Sequence, residues 1–159
     1  VFLEHKRTYR LVKGEVPDEE YTLPIGSADI KREGKDISVI TYGLMVHHCL
    51  EAAQAVVDEG IEVEVLDLRT VRPIDDKAIV QTAMKTGKVI IVHEDSKALG
   101  VGAEVSAIVS EHAFEYLDGP VTRLAGPEVP AMPFSPPMEA MYMIDSAKIA
   151  TAIRKLAAY

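Results

Sequence analysis

The chain has 159 residues, of which 48% are hydrophobic and 26% charged, a length and composition typical of one globular domain with or without a tail. The formal net charge of −8 argues against nucleic acid as a partner, because nucleic-acid binding needs a basic surface. It also argues against an anionic membrane surface, and no apolar run approaches the ~20 residues of a membrane span. The single cysteine, Cys49, cannot form a disulfide within the chain, which favours a cytoplasmic protein.

Residues 1 to 30 lack helical periodicity and contain spaced prolines and glycines amid charge, which predicts an extended linker. The stretch also carries apolar side chains, so we expect it to lie on a protein surface. The first residue is Val1 and not Met, and Val1 to Glu4 resemble the end of a buried strand. We therefore expect the chain to be part of a longer protein.

From about residue 36 the pattern alternates between strands and helices. Residues 37–42 are β-branched and aromatic, which predicts a strand. The spacing of Val46, Leu50, Ala53 and Val57 predicts a helix that ends before Gly60. Residues 61–68 alternate apolar and acidic side chains, which predicts a second strand.

Further elements follow in the second half. A helix capped by Asp75 or Asp76 ends at Gly87, and the apolar run 89–92 is typical of a parallel strand covered on both faces. The elements predicted after it are a helix with Val105, Ile108, Val109 and His112 on one side, a strand over 121–124, a proline-rich surface loop over 125–137, and a last helix capped by Asp145 or Ser146. The alternation predicts an α/β three-layer sandwich with a mainly parallel central sheet, whose strand order stays open.

Polar residues gather where predicted strands end. His93, Glu94 and Asp95 follow a buried strand, and ligands of open parallel sheets favour the carboxyl ends of strands. We interpret these residues as a structural or interface cluster rather than as catalytic groups, with an ion pair to Arg69 or Arg72. Asp67 is expected to accept hydrogen bonds from the turn that follows it, and Arg69 to contact a carboxylate.

Gly100 and Gly102 precede a helix, where a Gly-x-Gly turn can present backbone N–H groups to a phosphate. Val105 replaces the third glycine of the dinucleotide fingerprint, and Glu104 would repel an anion. We favour a tight turn with close approach of strand and helix.

Two further groups have two interpretations each. His47, His48 and Cys49 suggest a metal site, but neighbouring residues on a helix point about 100° apart, so we predict none. The second group combines the flexible methionines of the C-terminal third with two aromatic residues, and it forms either a small core beneath the proline-rich loop or a subunit contact. Its members are Met132, Phe134, Met138, Met141, Tyr142 and Met143.

Four stretches together resemble one family along the whole chain. They are VFLEHKRTYR at 1–10, VLDLRTVRP at 65–73, HED at 93–95 with GVGAEV at 100–105, and RLAGP at 123–127 with PAMPF at 130–134. The chain resembles the beta subunit of the decarboxylating first component of 2-oxoacid dehydrogenase complexes, in particular the bacterial branched-chain (2-oxoisovalerate) type.

The resemblance implies a fold and a division of labour. Residues 1–30 correspond to the end of a pyrimidine-binding domain and a linker, and residues 31–159 to a transketolase C-terminal-like domain. The parent heterotetramer, with two kinds of subunit, uses thiamine diphosphate and magnesium to decarboxylate a 2-oxoacid and passes the acyl group to a lipoyl-acyltransferase. The activating glutamate and active-site histidine of the family lie upstream, so we assign no catalytic, cofactor or metal residue here and expect the isolated chain to be inactive and to bind no cofactor.

The implied partners are the alpha subunit, a second beta subunit and the basic subunit-binding domain of the acyltransferase. The acidic charge suits the last of these, and Glu128 and the terminal carboxylate of Tyr159 are candidate contacts. Pyruvate and acetoin dehydrogenases remain alternatives, as does a freestanding module that binds a small anion near residues 96–102.

Overall fold

The computed structural model describes all residues from Val1 to Tyr159. The strands are β1 (Asp29–Arg32), β2 (Ile37–Thr41), β3 (Val63–Asp67), β4 (Val89–Ser96) and β5 (Thr122–Gly126). The α-helices are α1 (Thr8–Leu11), α2 (Met45–Ala55), α3 (Asp76–Thr86), α4 (Val101–His112), α5 (Pro136–Tyr142) and α6 (Ser146–Ala157), and single 3₁₀ turns span Val57–Glu59 and Phe114–Tyr116. None of these helices combines the length and apolarity needed to cross a membrane.

The five strands form one sheet in the order β1-β3-β2-β4-β5. Strands β3, β2, β4 and β5 are parallel neighbours, and β1 pairs with β3 in the antiparallel direction. The chain leaves β2 toward one side for β3 and returns to the other side for β4. The carboxyl ends of β2 and β4 therefore frame the topological switch point of the sheet.

The sheet separates two hydrophobic cores, which confirms the predicted three-layer α/β sandwich. One face packs against α2 and α6, with Val39 and Val65 from the sheet meeting Cys49 and Ile153. The other face packs against α3 and α4, with Ile40 and Leu66 among its members. Because both faces of the central strands are covered, β2 is buried at every position, as expected for a parallel strand.

The predicted helix ends are confirmed at both capped helices. The Asp75 carboxylate accepts a hydrogen bond from the N–H of Ala78 at 3.1 Å, and Asp145 accepts one from Lys148 at 2.8 Å. Helix α3 ends at Gly87, whose φ of 67° is left-handed, a conformation that favours glycine.

Three elements differ from the predictions. Strand β1 was missed, because its four residues carry charge without apolar alternation, and pairing with β3 selects its conformation. Strand β4 continues to Ser96 instead of ending at 92. Helix α5 begins at Pro136, within the predicted loop. Proline is tolerated there because the N–H that it lacks has no hydrogen-bond partner in the first turn of a helix.

The linker has one turn of helix at Thr8–Leu11 and no other regular element before β1. Its apolar side chains are exposed, including Phe2, Tyr9, Leu23 and Ile25.

Candidate functional site

Most of the predicted site residues meet at the carboxyl edge of the sheet. His93 and Glu94 lie toward the end of β4, Asp67 ends β3, and Gly100 caps α4. Tyr42 follows directly after β2. Since β2 and β4 flank the switch point, this edge is the place where the fold most favours a ligand.

His93 is 1% exposed, and neither of its ring nitrogens has a hydrogen-bond partner. The ring of Tyr42 stacks on it, with 6.4 Å between centroids and 12° between planes. Burial lowers the pKa of His93, and Arg123 adds to this effect while Asp95 opposes it. The imidazole is therefore neutral near neutral pH, and its burial keeps it from exchanging protons with a substrate.

The glycines of the Gly-x-Gly turn make room for this imidazole. A Cβ at Gly100 would lie 2.8 Å from Cε1 of His93, and a Cβ at Gly102 would overlap the same ring. Real side chains do not approach so closely, so only glycine fits at both positions. The geometry supports close packing of strand on helix, as favoured from the sequence, because His93 fills the space that an anion would occupy.

The predicted ion pair between His93–Asp95 and Arg69 or Arg72 is wrong. Nη2 of Arg69 contacts Asp29 on β1 at 2.7 Å, and Glu94 contacts Nε2 of His5 in the linker at 3.1 Å. The reason is the sheet order: β1 lies beside β3 and offers Arg69 a nearer carboxylate. Arg72 is exposed and precedes Pro73 through a cis peptide bond.

Asp67 has the predicted role at the end of β3. Its Oδ1 accepts a hydrogen bond from the N–H of Arg69 at 3.0 Å, and Arg69 has a φ of 55°. Burial raises the pKa of Asp67, and the Arg69 N–H and Lys31 partly offset that effect. Asp67 and Arg69 therefore fix the turn and attach the edge strand β1 to the sheet.

The two proposed docking residues lie on the surface. Glu128 is exposed in the proline-rich loop, and Tyr159 is 72% exposed after α6.

Most of the cluster of methionines and aromatic residues is exposed rather than a small core, and only Tyr142 and Met143 are half-buried. Phe134 is 99% exposed, and Met138 and Met141 also face solvent. An apolar patch of this kind marks an interaction surface, so of the two interpretations the structure favours a contact with another chain.

The carboxylate, imidazole and thiol groups do not cluster in this structure. No three side chains of His, Cys, Asp or Glu lie together as metal ligands. In the His47–Cys49 segment the thiol is fully buried and burial raises its pKa to about 12, whereas metal binding needs a thiolate.

Sequence reasoning missed several residues of this edge. The sequence around Asp29 and His5 does not indicate a role at this edge, because each residue acquires its role from a partner distant in the chain. Tyr42 was assigned only to a strand, although its place before Gly43, at the end of a buried strand, marks the carboxyl edge.

The fold and this packed edge define an open α/β domain with a mainly parallel sheet. The family model for the transketolase C-terminal domain matches residues 26–149, and the chain belongs to that family.

Among curated proteins, the chain is 55% identical over 159 residues to the 2-oxoisovalerate dehydrogenase subunit beta of Bacillus subtilis, covering 100% of this chain and 49% of that one. It is 43% identical over 155 residues to the acetoin:2,6-dichlorophenolindophenol oxidoreductase subunit beta of Cupriavidus necator, covering 98% of this chain and 45% of that one. It is 49% identical over 135 residues to the pyruvate dehydrogenase E1 component subunit beta of Bacillus subtilis, covering 85% of this chain and 41% of that one. The resemblance seen in the motifs is confirmed, and the chain spans about half the length of these relatives.

Solved structures agree. A chain of a split-gene transketolase, in an inactive beta4 tetramer, superposes with a TM-score of 0.76 at 28% identity, over 91% of this chain and 46% of that one. A 2-oxoglutarate:ferredoxin oxidoreductase from Magnetococcus marinus shares the fold alone. It superposes with a TM-score of 0.56 at 14% identity, over 82% of this chain and 20% of that one.

Proposed function

We propose that this chain is the C-terminal assembly domain of the beta subunit of a thiamine diphosphate-dependent 2-oxoacid dehydrogenase, of the branched-chain type. The observation that carries the proposal is 55% identity along the whole chain to a 2-oxoisovalerate dehydrogenase subunit beta. The pyruvate and acetoin enzymes are alternatives, with 49% and 43% identity over their matched residues.

The geometry supports a scaffold rather than a catalyst. The one histidine at the switch point is buried under two glycines, and apolar side chains of the linker and α5 are exposed. Residues 1–30 would connect to the pyrimidine-binding domain, and residues 31–159 would pair with a second beta subunit and support the alpha subunit. Thiamine diphosphate and magnesium would belong to the parent heterotetramer, which we place in the bacterial cytoplasm.

Calorimetry tests where the cofactor binds. Titration of the purified chain with thiamine diphosphate and magnesium should give no heat beyond dilution, because the resemblance places the cofactor-activating glutamate upstream of these residues. Saturable binding at one site would contradict the assignment.

A second part of the proposal concerns docking of the acyltransferase. Its basic subunit-binding domain would contact Glu128 and the terminal carboxylate of Tyr159, because opposite charges steer and orient association. Glu128→Lys should weaken that binding about tenfold or more, as expected when a charge contact becomes a repulsion. The matched control is Glu115→Lys, an equal charge change at an exposed residue of the 3₁₀ turn after α4. Equal affinity of the two variants would eliminate the docking role.

A further inference from the structure

A groove of about 320 Å³ lies between the edge strand β1 and helix α3, with β3 as its floor. It is on the α3 side of the sheet and separate from the carboxyl edge described above. Its walls include Ala28 and Ile30 from β1 and its approach, Leu66 from β3, and Ala78 from α3. The groove therefore offers apolar walls to a short aliphatic chain.

The floor of the groove holds a carboxylate that the fold leaves half satisfied. Glu64 is 0% exposed, because alternation along β3 turns its side chain toward α3 while Val63 and Val65 face α2. Its Oε2 accepts a hydrogen bond from Nζ of Lys85, and its Oε1 has no hydrogen-bond partner. A buried carboxylate oxygen without a donor is costly, and Glu64 lines the groove, so a donor that enters the groove would lower that cost.

The charges around the groove call for a cation. Lys85 also contacts Glu33 at 2.6 Å, so two carboxylates share one ammonium and the formal charge of the cluster is −1. The hydrogen bonds to Glu33 and Glu64 raise the pKa of Lys85, which keeps it charged and unable to accept a proton from a ligand. A neutral or anionic ligand would leave the excess negative charge uncompensated.

We infer that this groove binds an organic cation, an alkylammonium or alkylguanidinium group that donates to Oε1 of Glu64 while its aliphatic stem contacts Ile30 and Leu66. The cation would come either from a free amine or from a lysine or arginine side chain of a partner protein. The inference does not depend on the proposed dehydrogenase function, since it uses no residue of that argument.

The test is an NMR titration of the complete chain with n-butylammonium, and 1-butanol is the neutral probe of similar shape. We expect saturable shifts at Ala28, Ile30 and Ala78 with n-butylammonium and much smaller shifts with 1-butanol. Glu64→Gln should weaken binding about tenfold or more, because a charge-assisted hydrogen bond is lost. Glu33→Gln is the matched control: it removes the same unit of charge next to the same lysine but from an exposed position, where water screens it, so it should weaken binding less than Glu64→Gln does.

A second variant keeps the test decisive if Glu64→Gln does not fold. Ala78→Leu leaves the carboxylate intact, suits a helix, and fills the groove, so it should also abolish binding. Nα-acetyl-lysine N-methylamide distinguishes the two sources of the cation. If it binds at least as strongly as n-butylammonium, the cation comes from a side chain of a partner protein. If it binds more weakly, the cation comes from a free amine. Absence of shifts, equal binding of 1-butanol, or unchanged binding in both groove variants would overturn the inference and leave water as the partner of Oε1.

Discussion

The contact between His93 and the glycines of α4 shows how single residues decide the character of the carboxyl edge. An imidazole occupies the place where related topologies admit a ligand, and it fits only because Gly100 and Gly102 lack side chains. The ring of Tyr42 stacks on the imidazole and covers another side of it. The edge is consequently a packed junction between strand and helix.

Gly102→Ala tests this junction, because steric overlap predicts a decrease in the free energy of unfolding and helix propensity predicts an increase. Alanine in a helix normally adds up to about 1 kcal/mol of stability over glycine, whereas overpacking against His93 should cost about 1–3 kcal/mol. We expect the free energy of unfolding, measured by urea denaturation, to fall. In a His93→Ala background the same substitution should become neutral or stabilising. Gly14→Ala, where a methyl group meets nothing within 4 Å, is the control and should change little.

The lowered pKa of His93 predicts a pH dependence of stability. In the unfolded chain the pKa of this imidazole is the ordinary histidine value of about 6.5, and in the folded chain it is lower, so below that value the unfolded state binds more protons. Stability should therefore decrease as the pH falls from about 7 through the folded pKa. His93→Leu removes the titrating group and should flatten the curve of unfolding free energy against pH over that range. An unchanged slope would contradict the assignment of this pH dependence to His93.

At the scale of elements, β1 is the strand that depends most on side-chain contacts. It pairs on one side only, has a register shift between Ile30 and Arg32, and is held by the Arg69–Asp29 ion pair. Asp75 adds a second attachment, because its Oδ2 accepts a hydrogen bond from the N–H of Ala28 at 2.9 Å while Oδ1 caps α3.

The two capping aspartates therefore differ in a measurable way. Asp145→Ala removes a cap alone and should cost about 1 kcal/mol of unfolding free energy. Asp75→Ala removes a cap and the link to β1, so it should cost about 1 kcal/mol more. Hydrogen exchange should show faster exchange in β1 for Asp75→Ala only. Equal costs and equal exchange would mean that Asp75 does not hold the edge strand.

Elements with a strong local pattern could be predicted from the sequence, and those defined by distant partners could not. The apolar run at the start of β4 identifies a strand because both of its faces are covered, and the spacing of Val46, Leu50 and Ala53 identifies a helix because burial repeats with the helical period. Strand β1 has no such repeat. The sequence indicated that Asp67 and His93 lie near strand ends, but the partners of Arg69 and Glu94 follow from a strand order that the sequence does not contain.

At the scale of the whole molecule, exposed apolar side chains in the linker and around α5 contrast with two well-packed cores. Under the proposed function, these surfaces would contact the remainder of the beta subunit and neighbouring subunits. The exposed Phe134 and Met141 are the first candidates for such a contact.

The most direct test of the assembly role is the activity of a hybrid enzyme. This chain would replace the matching segment of the Bacillus subtilis 2-oxoisovalerate dehydrogenase subunit beta, and the hybrid would be combined with the alpha subunit. We predict decarboxylation of 2-oxoisovalerate within roughly tenfold of the parent, a difference of about 1.4 kcal/mol in the barrier. The same exchange into the pyruvate dehydrogenase subunit should leave that enzyme's preference for pyruvate unchanged. A folded hybrid that fails to assemble, or one that acquires a new substrate preference, would contradict the account.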